Sequence, residues 1–311
     1  MPSLPEKGNY ASNGQRILKT ASLIILTFQT TALVLLMRYT RLHREGDRLY
    51  LTSTAVFCSE VTKVVACVIA IYVGSGFSLT ETHTEIKTRV VNEPVELLKL
   101  AIPSGLYTLQ NNLLYVALSN LDAATYQITY QLKIFTTAIF MVVMLQKRIS
   151  FQQWVSLGIL LFGVAFVQLA PTSGNGSTSV LKEAQNPVLG LFAVITASLS
   201  SGFAGVYFEK LMKDTAPSLW VRNIQLGFWG SILALIGVYL TDYRAVAEYG
   251  FFQGYNLNVV LVIFLQSFGG LCIAVVIKYA DNILKVFATS ISIILSCVAS
   301  YYLLGDFVPN W

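Results

Sequence analysis

Lys133 lies deep within a long apolar run, residues 123–145. An ionisable side chain at mid-membrane costs about 2.5–3.5 kcal/mol on insertion scales, so it persists there only with a partner or a task. Read as a helix, the run sets Tyr126, Tyr130 and Thr137 on the same face, at i−7, i−3 and i+4 from the lysine. Such a stripe must face the interior of a helix bundle or a water-filled cavity. A cation beside phenols and a hydroxyl would suit an anion. The plainer alternatives are an interhelical hydrogen-bond ladder, or a pairing of Lys133 with Glu60.

Other apolar runs carry polar faces of their own. Tyr107, Gln110 and Asn111 share one face, and two carboxamides together offer donors and acceptors matched to a base edge. They would serve equally well as helix-packing glue. Ser198, Ser201, Gly202 and Gly205 form a small-residue face, which favours close helix approach and also admits a ligand to the backbone. Asn223 follows Arg222 near the start of a further run, and Lys285 opens the last one, with Thr289, Ser292 and Ser296 along its face. Glu60 and Lys63, one turn apart, can neutralise each other, a structural or gating pair. Lys133 and Lys285 placed across a central cavity would supply positive charge for phosphates. These residues alone reach a transporter or channel for an organic anion and go no further.

Enzyme classes are disfavoured, and no metal or cofactor is expected. The only histidines, His43 and His83, fall between apolar runs, and there is no His-Glu-x-x-His pair. No two runs carry facing central aspartates, and Leu199 stands where a rhomboid-type serine motif wants glycine. The four cysteines all lie inside apolar segments, which argues against a disulfide framework.

The elements that must position these groups follow from composition. Of 311 residues, 55% are hydrophobic and 12% charged, where a soluble domain is about a quarter charged. The net charge of +5 is dispersed, with no basic patch for nucleic acid. A spanning helix needs about 20 mostly apolar residues. Nine such spans are expected, at 17–37, 52–74, 95–118, 123–145, 151–169, 188–209, 218–240, 257–279 and 284–304. The chain divides into a cytosolic tail (1–16), a first half of five helices (17–169), a lumenal loop (170–187) and a second half of four (188–311). With the N-terminus in the cytosol, that side receives twelve loop Lys and Arg and the other side six. The sequon Asn175-Gly-Ser177 then falls on the lumenal side. The segment 117–150 has a faint echo in 277–306, each a short acidic turn leading into a helix with a polar stop. Two similar halves would leave a tenth helix missing.

The strings that carry these faces are specific. Tyr107-Thr-Leu-Gln-Asn-Asn-Leu-Leu-Tyr115, Ser200-Ser-Gly-Phe-Ala-Gly-Val-Tyr-Phe-Glu-Lys210, Trp220-Val-Arg-Asn-Ile-Gln225, Gly250-Phe-Phe-Gln-Gly-Tyr255 and Val276-Ile-Lys-Tyr-Ala-Asp-Asn-Ile-Leu-Lys285 extend over most of the chain. With them the chain resembles the nucleotide-sugar transporters of solute carrier family 35, in the subgroup for UDP-N-acetylglucosamine, UDP-galactose and CMP-sialic acid. The wording is nearest the UDP-N-acetylglucosamine branch. The resemblance implies an all-α, drug/metabolite transporter-like bundle of two inverted five-helix halves in the Golgi membrane, with both termini cytosolic. It implies exchange of a UDP-sugar, UDP-N-acetylglucosamine or UDP-galactose, for UMP. By motif, the nucleotide-facing residues would be Tyr107, Gln110, Asn111, Tyr126, Lys133, Ser201, Gly202, Asn223 and Lys285, with the lysines on phosphate. Partners would be the nucleotide sugar, the nucleoside monophosphate and the bilayer, with a homodimer or an association with glycosyltransferases left open. The family pattern Lys-Gly-Phe reads Lys285-Val286-Phe287 here. The alternative is a truncated, non-transporting regulator or scaffold.

Overall fold

The computed structural model describes residues 7–42, 49–121, 126, 129–168, 186–214 and 218–303. Among these the chain is helical: α1 (Lys7–Leu42), α2 (Thr52–Gly74), α3 (Leu79–Ile86) with a π-helical turn (Lys87–Val91), α4 (Pro94–Asn120), α5 (Lys133–Leu145), α6 (Phe151–Gln168), α7 (Pro187–Asp214), α8 (Leu219–Tyr249), α9 (Leu257–Tyr279) and α10 (Asn282–Leu303). The chain is a polytopic membrane protein. Segments within α1, α2, α7, α8 and α9 are each long and apolar enough to cross a bilayer. Such segments become helices because only internal hydrogen bonding satisfies the backbone in hydrocarbon.

Helix boundaries follow local chemistry. Ser150 and Gln153 form a reciprocal capping box at the start of α6: the Ser150 N–H donates to Gln153 Oε1 at 2.8 Å, and the Gln153 N–H donates to Ser150 Oγ at 3.3 Å. Asn256 Oδ1 accepts the Val259 N–H at 3.0 Å and starts α9. Gln146, at φ 52°, turns left-handed and ends α5.

Polarity is inside out. Phe28, Ile69, Phe162, Phe192, Tyr239 and Phe264 point outward, while Ser198, Glu209, Arg222, Asn223 and Gln225 are buried. A surface this apolar is stable against lipid and not against water. Helices associate through small residues and hydrogen bonds, since lipid supplies no hydrophobic drive between them. Thr136 Oγ1 donates to the Ser198 carbonyl at 2.9 Å, tying α5 to α7. Thr27 Oγ1 donates to the Ala288 carbonyl at 3.3 Å, tying α1 to α10. The packing repeats in the same manner elsewhere: α4 lies against α7 and α8, as α9 lies against α1 and α2.

Three expectations change. The span 123–145 is not one regular helix: Gln131 and Leu132 form a turn, and α5 starts at Lys133. The Ile134 N–H reaches back only to Gln131 O, at 2.9 Å, an i→i+3 bond that tightens the chain there. Lys133 thus opens a helix and does not sit at the middle of one. The expected tail 1–16 is helical from Lys7 onward, continuous with α1. The segment between α2 and α4 folds into α3 and its π-turn, so His83, expected in a loop, stands on a helix. The sequon at Asn175, the loop 170–187 up to residue 185 and the segment beyond 303 lie outside the described residues.

Candidate functional site

A cavity of about 1040 Å³ runs into the bundle from one end, at the upper limit of ordinary ligand sites. Its mouth is formed by Tyr50, Thr52 and Ser53 beside Thr241 and Asp242. Ser53 donates to Asp242, joining α2 to α8 across the mouth. Deeper, α2 contributes Glu60 and Lys63, α4 contributes Ser104, Tyr107 and Thr108, α8 contributes Asn223 and Gly230, and Lys285 comes from the first turn of α10.

Of the residues anticipated from sequence, Tyr107, Tyr126, Asn223, Lys285, Glu60 and Lys63 line this cavity. Lys133 and Gln110 are not among the lining side chains and gather instead around Tyr130. Gln110 Nε2 donates to the Tyr130 hydroxyl at 2.9 Å. Lys133 Nζ lies 4.2 Å from the Tyr130 ring centroid, a cation–π contact worth about 0.5–2 kcal/mol. Ser201 hydrogen-bonds the Tyr130 side chain. Tyr126, in the cavity wall, stacks on Tyr130 with centroids 6.1 Å apart and planes 7° from parallel. Tyr130 is therefore the node that links the wall to Lys133. Its spacing from Lys133 was visible in sequence, but nothing there distinguished it from its neighbours.

Lys133 and Lys285 are close enough to interact electrostatically, and Glu209 acts on Lys285 with opposite sign. Neither lysine forms an ion pair among the described residues. The anticipated alternative of a Lys133–Glu60 pair does not occur, because Glu60 bonds Lys63 at 2.5 Å. That pair fits through glycines on neighbouring helices. A Cβ on Gly230 would stand 2.5 Å from Glu60 Oε2, and one on Gly270 would stand 3.1 Å from Lys63 Cδ. Neither glycine stood out in the sequence.

Gly202 serves the helix interface. A Cβ there would lie 2.9 Å from the Thr136 carbonyl carbon and 2.9 Å from the Thr137 nitrogen. Asn223, in the cavity lining, donates from Nδ2 to the Leu219 carbonyl at 2.9 Å. The side chain of Asn111 lies outside what the structure describes.

The opposite end is closed. Arg222, buried on α8, bonds Glu96 of α4 at 2.5 Å and Gln225 Oε1 at 2.8 Å, and Gln225 Nε2 donates to the Arg89 carbonyl at 2.9 Å. The cavity between these ends has Lys285 in its lining beside Tyr50, Tyr107 and Tyr126.

The nucleotide-sugar transporter family matches residues 14–311. The chain belongs to that family. It is 59% identical over 293 residues to the UDP-N-acetylglucosamine transporter of Homo sapiens, covering 94% of this chain and 90% of the relative. It is 50% identical over 295 residues to the UDP-galactose translocator of Homo sapiens, covering 95% and 73%. It is 47% identical over 303 residues to a UDP-N-acetylglucosamine/UDP-N-acetylgalactosamine transporter of Caenorhabditis elegans, covering 96% and 89%.

Proposed function

We propose that this chain carries a UDP-sugar, UDP-N-acetylglucosamine first and UDP-galactose second, across the Golgi membrane in exchange for UMP. The observation that carries the reading is Lys285 on the floor of the cavity without a salt-bridge partner among the described residues, with Lys133 nearby. The two lysines carry like charge, and a phosphate beside Lys285 answers it. Tyr126, Tyr107 and Asn223 then border the nucleoside, with Gln110 and Ser201 holding the Tyr130 platform behind it. The high identity to relatives named for UDP-sugars supports a uridine nucleotide over other bases.

Exchange proceeds by alternating access around this fixed site. The repeated packing, α4 on α7 and α8 matching α9 on α1 and α2, supports two inverted halves that rock against each other. The N-terminus lies in the cytosol, so the mouth at Ser53 and Asp242 faces the lumen. Glu60–Lys63 lies midway along the wall and acts as a gating pair.

The test is uptake of radiolabelled UDP-N-acetylglucosamine into liposomes that contain the purified chain and are preloaded with UMP. Uptake that depends on internal UMP and is competed by UDP-galactose supports the reading. No uptake by well-folded protein sinks it and leaves the scaffold alternative.

A further inference from the structure

At the end of the bundle away from the cavity mouth stands Glu209, on α7, with no exposed surface. Its Oε1 accepts from Lys147 Nζ at 3.1 Å and from Lys213 Nζ at 2.7 Å. Its Oε2 accepts the backbone N–H of Asn282 at 2.8 Å. Lys147 lies just beyond α5, Lys213 one turn further along α7, and Asn282 is the first residue of α10. The same two lysines hold the α9–α10 turn: Lys147 Nζ is 3.6 Å from Asp281 Oδ2, and Lys213 Nζ donates to the Ala280 carbonyl at 2.8 Å. A Cβ on Gly205 would stand 2.5 Å from Asn282 Nδ2, so the start of α10 is seated directly on α7.

A buried carboxylate is tolerated only when its charge and lone pairs are answered, and here three donors from three parts of the chain answer it. The carboxylate is the common acceptor of all three donors, so removing its charge loosens the two lysines from it together. Water can reach the cluster, since the Lys147 and Lys213 side chains are 35% and 29% exposed.

The cluster also adjoins the site. Lys285 stands one turn into α10, its N–H bonded to the Asp281 carbonyl at 3.1 Å and the preceding Leu284 N–H to Asp281 Oδ1 at 2.8 Å. The segment that Glu209 anchors is thus the segment that aims Lys285 into the cavity. Lys285 interacts with Glu209, of opposite charge, and with Lys133, of like charge.

We propose that Glu209 is a positioning residue and latch: its carboxylate holds α5, α7 and the start of α10 together over the closed end of the cavity, and an anion bound at Lys285 repels it and releases them. The proposal rests on the transport reading above for its ligand, since a second negative charge beside Lys285 is what opposes the carboxylate. A ligand shifts a two-state equilibrium only through such differential interaction.

The experiment uses the full chain with Glu209→Gln. Glutamine keeps an acceptor for the Asn282 N–H and removes the charge that holds the two lysines. UMP binding is measured on purified protein, exchange of UDP-N-acetylglucosamine for UMP in proteoliposomes, and accessibility by a membrane-impermeant maleimide applied from the side of Lys147. The maleimide probes Ile273→Cys, in the cavity wall, with the native cysteines replaced. Glu209→Gln is expected to bind UMP within about threefold of the parent, to lose about tenfold in maximal exchange, and to expose Cys at 273 from the Lys147 side without ligand. In the parent, UMP alone should raise that labelling.

Unchanged exchange and labelling in Glu209→Gln would overturn the latch. So would loss of binding in step with exchange, because a merely structural residue behaves that way. The ligand-free labelling is read independently of transport, so failure of parental exchange sinks the UDP-sugar reading while the latch is still decided. If Glu209→Gln does not accumulate, Lys147→Gln, on the exposed side of the cluster, should move labelling and maximal exchange in the same direction to a smaller extent.

Discussion

Lys133 Nζ rests over the Tyr130 ring at 4.2 Å, with the far edge of that phenol held by Gln110. The lysine is thereby positioned without a carboxylate that would neutralise it. Tyr130→Phe keeps the ring contact and the stacking on Tyr126 and gives up only the hydroxyl bonds to Gln110 and Ser201. Tyr130→Ala removes the platform itself. A lost cation–π contact of about 0.5–2 kcal/mol predicts roughly 2- to 30-fold weaker UMP binding for the alanine variant and a smaller change for phenylalanine. Calorimetry on purified protein checks the order, and equal losses for the two variants would refute the ring's role.

Lys285 lines the cavity and, unlike Lys63, has no ion-pair partner among the described residues. Charge-assisted hydrogen bonds contribute about 1.5–3 kcal/mol, so Lys285→Ala should weaken UMP binding by about 10- to 150-fold and suppress exchange while protein yield holds. Uptake at the parental rate by Lys285→Ala would remove the phosphate role.

The helical class was legible because hydropathy over about 20 residues reports directly on the solvent of a segment, and five of the nine expected spans, 17–37, 52–74, 188–209, 218–240 and 257–279, fall on helices long and apolar enough to cross a bilayer. The faces bearing Tyr107, Tyr126 and Lys285 were legible for the same reason, since a polar residue in lipid calls for an explanation. The turn at Gln131 and Leu132 was not, because hydropathy across 123–145 says nothing of an i→i+3 bond. Nor was the convergence on Tyr130, where Gln110 and Ser201 arrive from separate helices. Gly230 and Gly270 were silent because a glycine's use lies in what its neighbour fills, here the Glu60–Lys63 pair.

Gly202 and Gly158 separate packing from propensity. A methyl on Gly202 would meet the backbone of Thr136 and Thr137 at 2.9 Å, and backbone cannot step aside cheaply, whereas Gly158 has nothing within 4 Å. Gly202→Ala should destabilise by about 1–3 kcal/mol through overpacking. Gly158→Ala should gain up to about 1 kcal/mol, because alanine restricts the unfolded backbone and favours helix. Thermal unfolding followed by thiol-reactive fluorescence ranks the two, and a Gly202→Ala protein as stable as its parent would contradict the close contact.

Val286 stands where the resemblance implies glycine, and the structure gives its side chain a use. It is buried at 6% exposure among Ile134, Ala138 and Leu157, filling the space where α10 meets α5 and α6. It belongs to a packed interface and is not one of the residues lining the cavity. Val286→Gly would delete those dispersion contacts and add the backbone freedom of glycine to a helix, each a cost. The helix term alone is about 1 kcal/mol, and the unfilled volume adds to it because neighbouring helices collapse only partly. Val286→Gly should therefore melt at lower temperature than its parent, while UMP affinity stays within about threefold, as expected for a residue outside ligand contact. Tighter UMP binding by more than that in Val286→Gly, measured by calorimetry, would mean that the valine restricts approach to Lys285 after all.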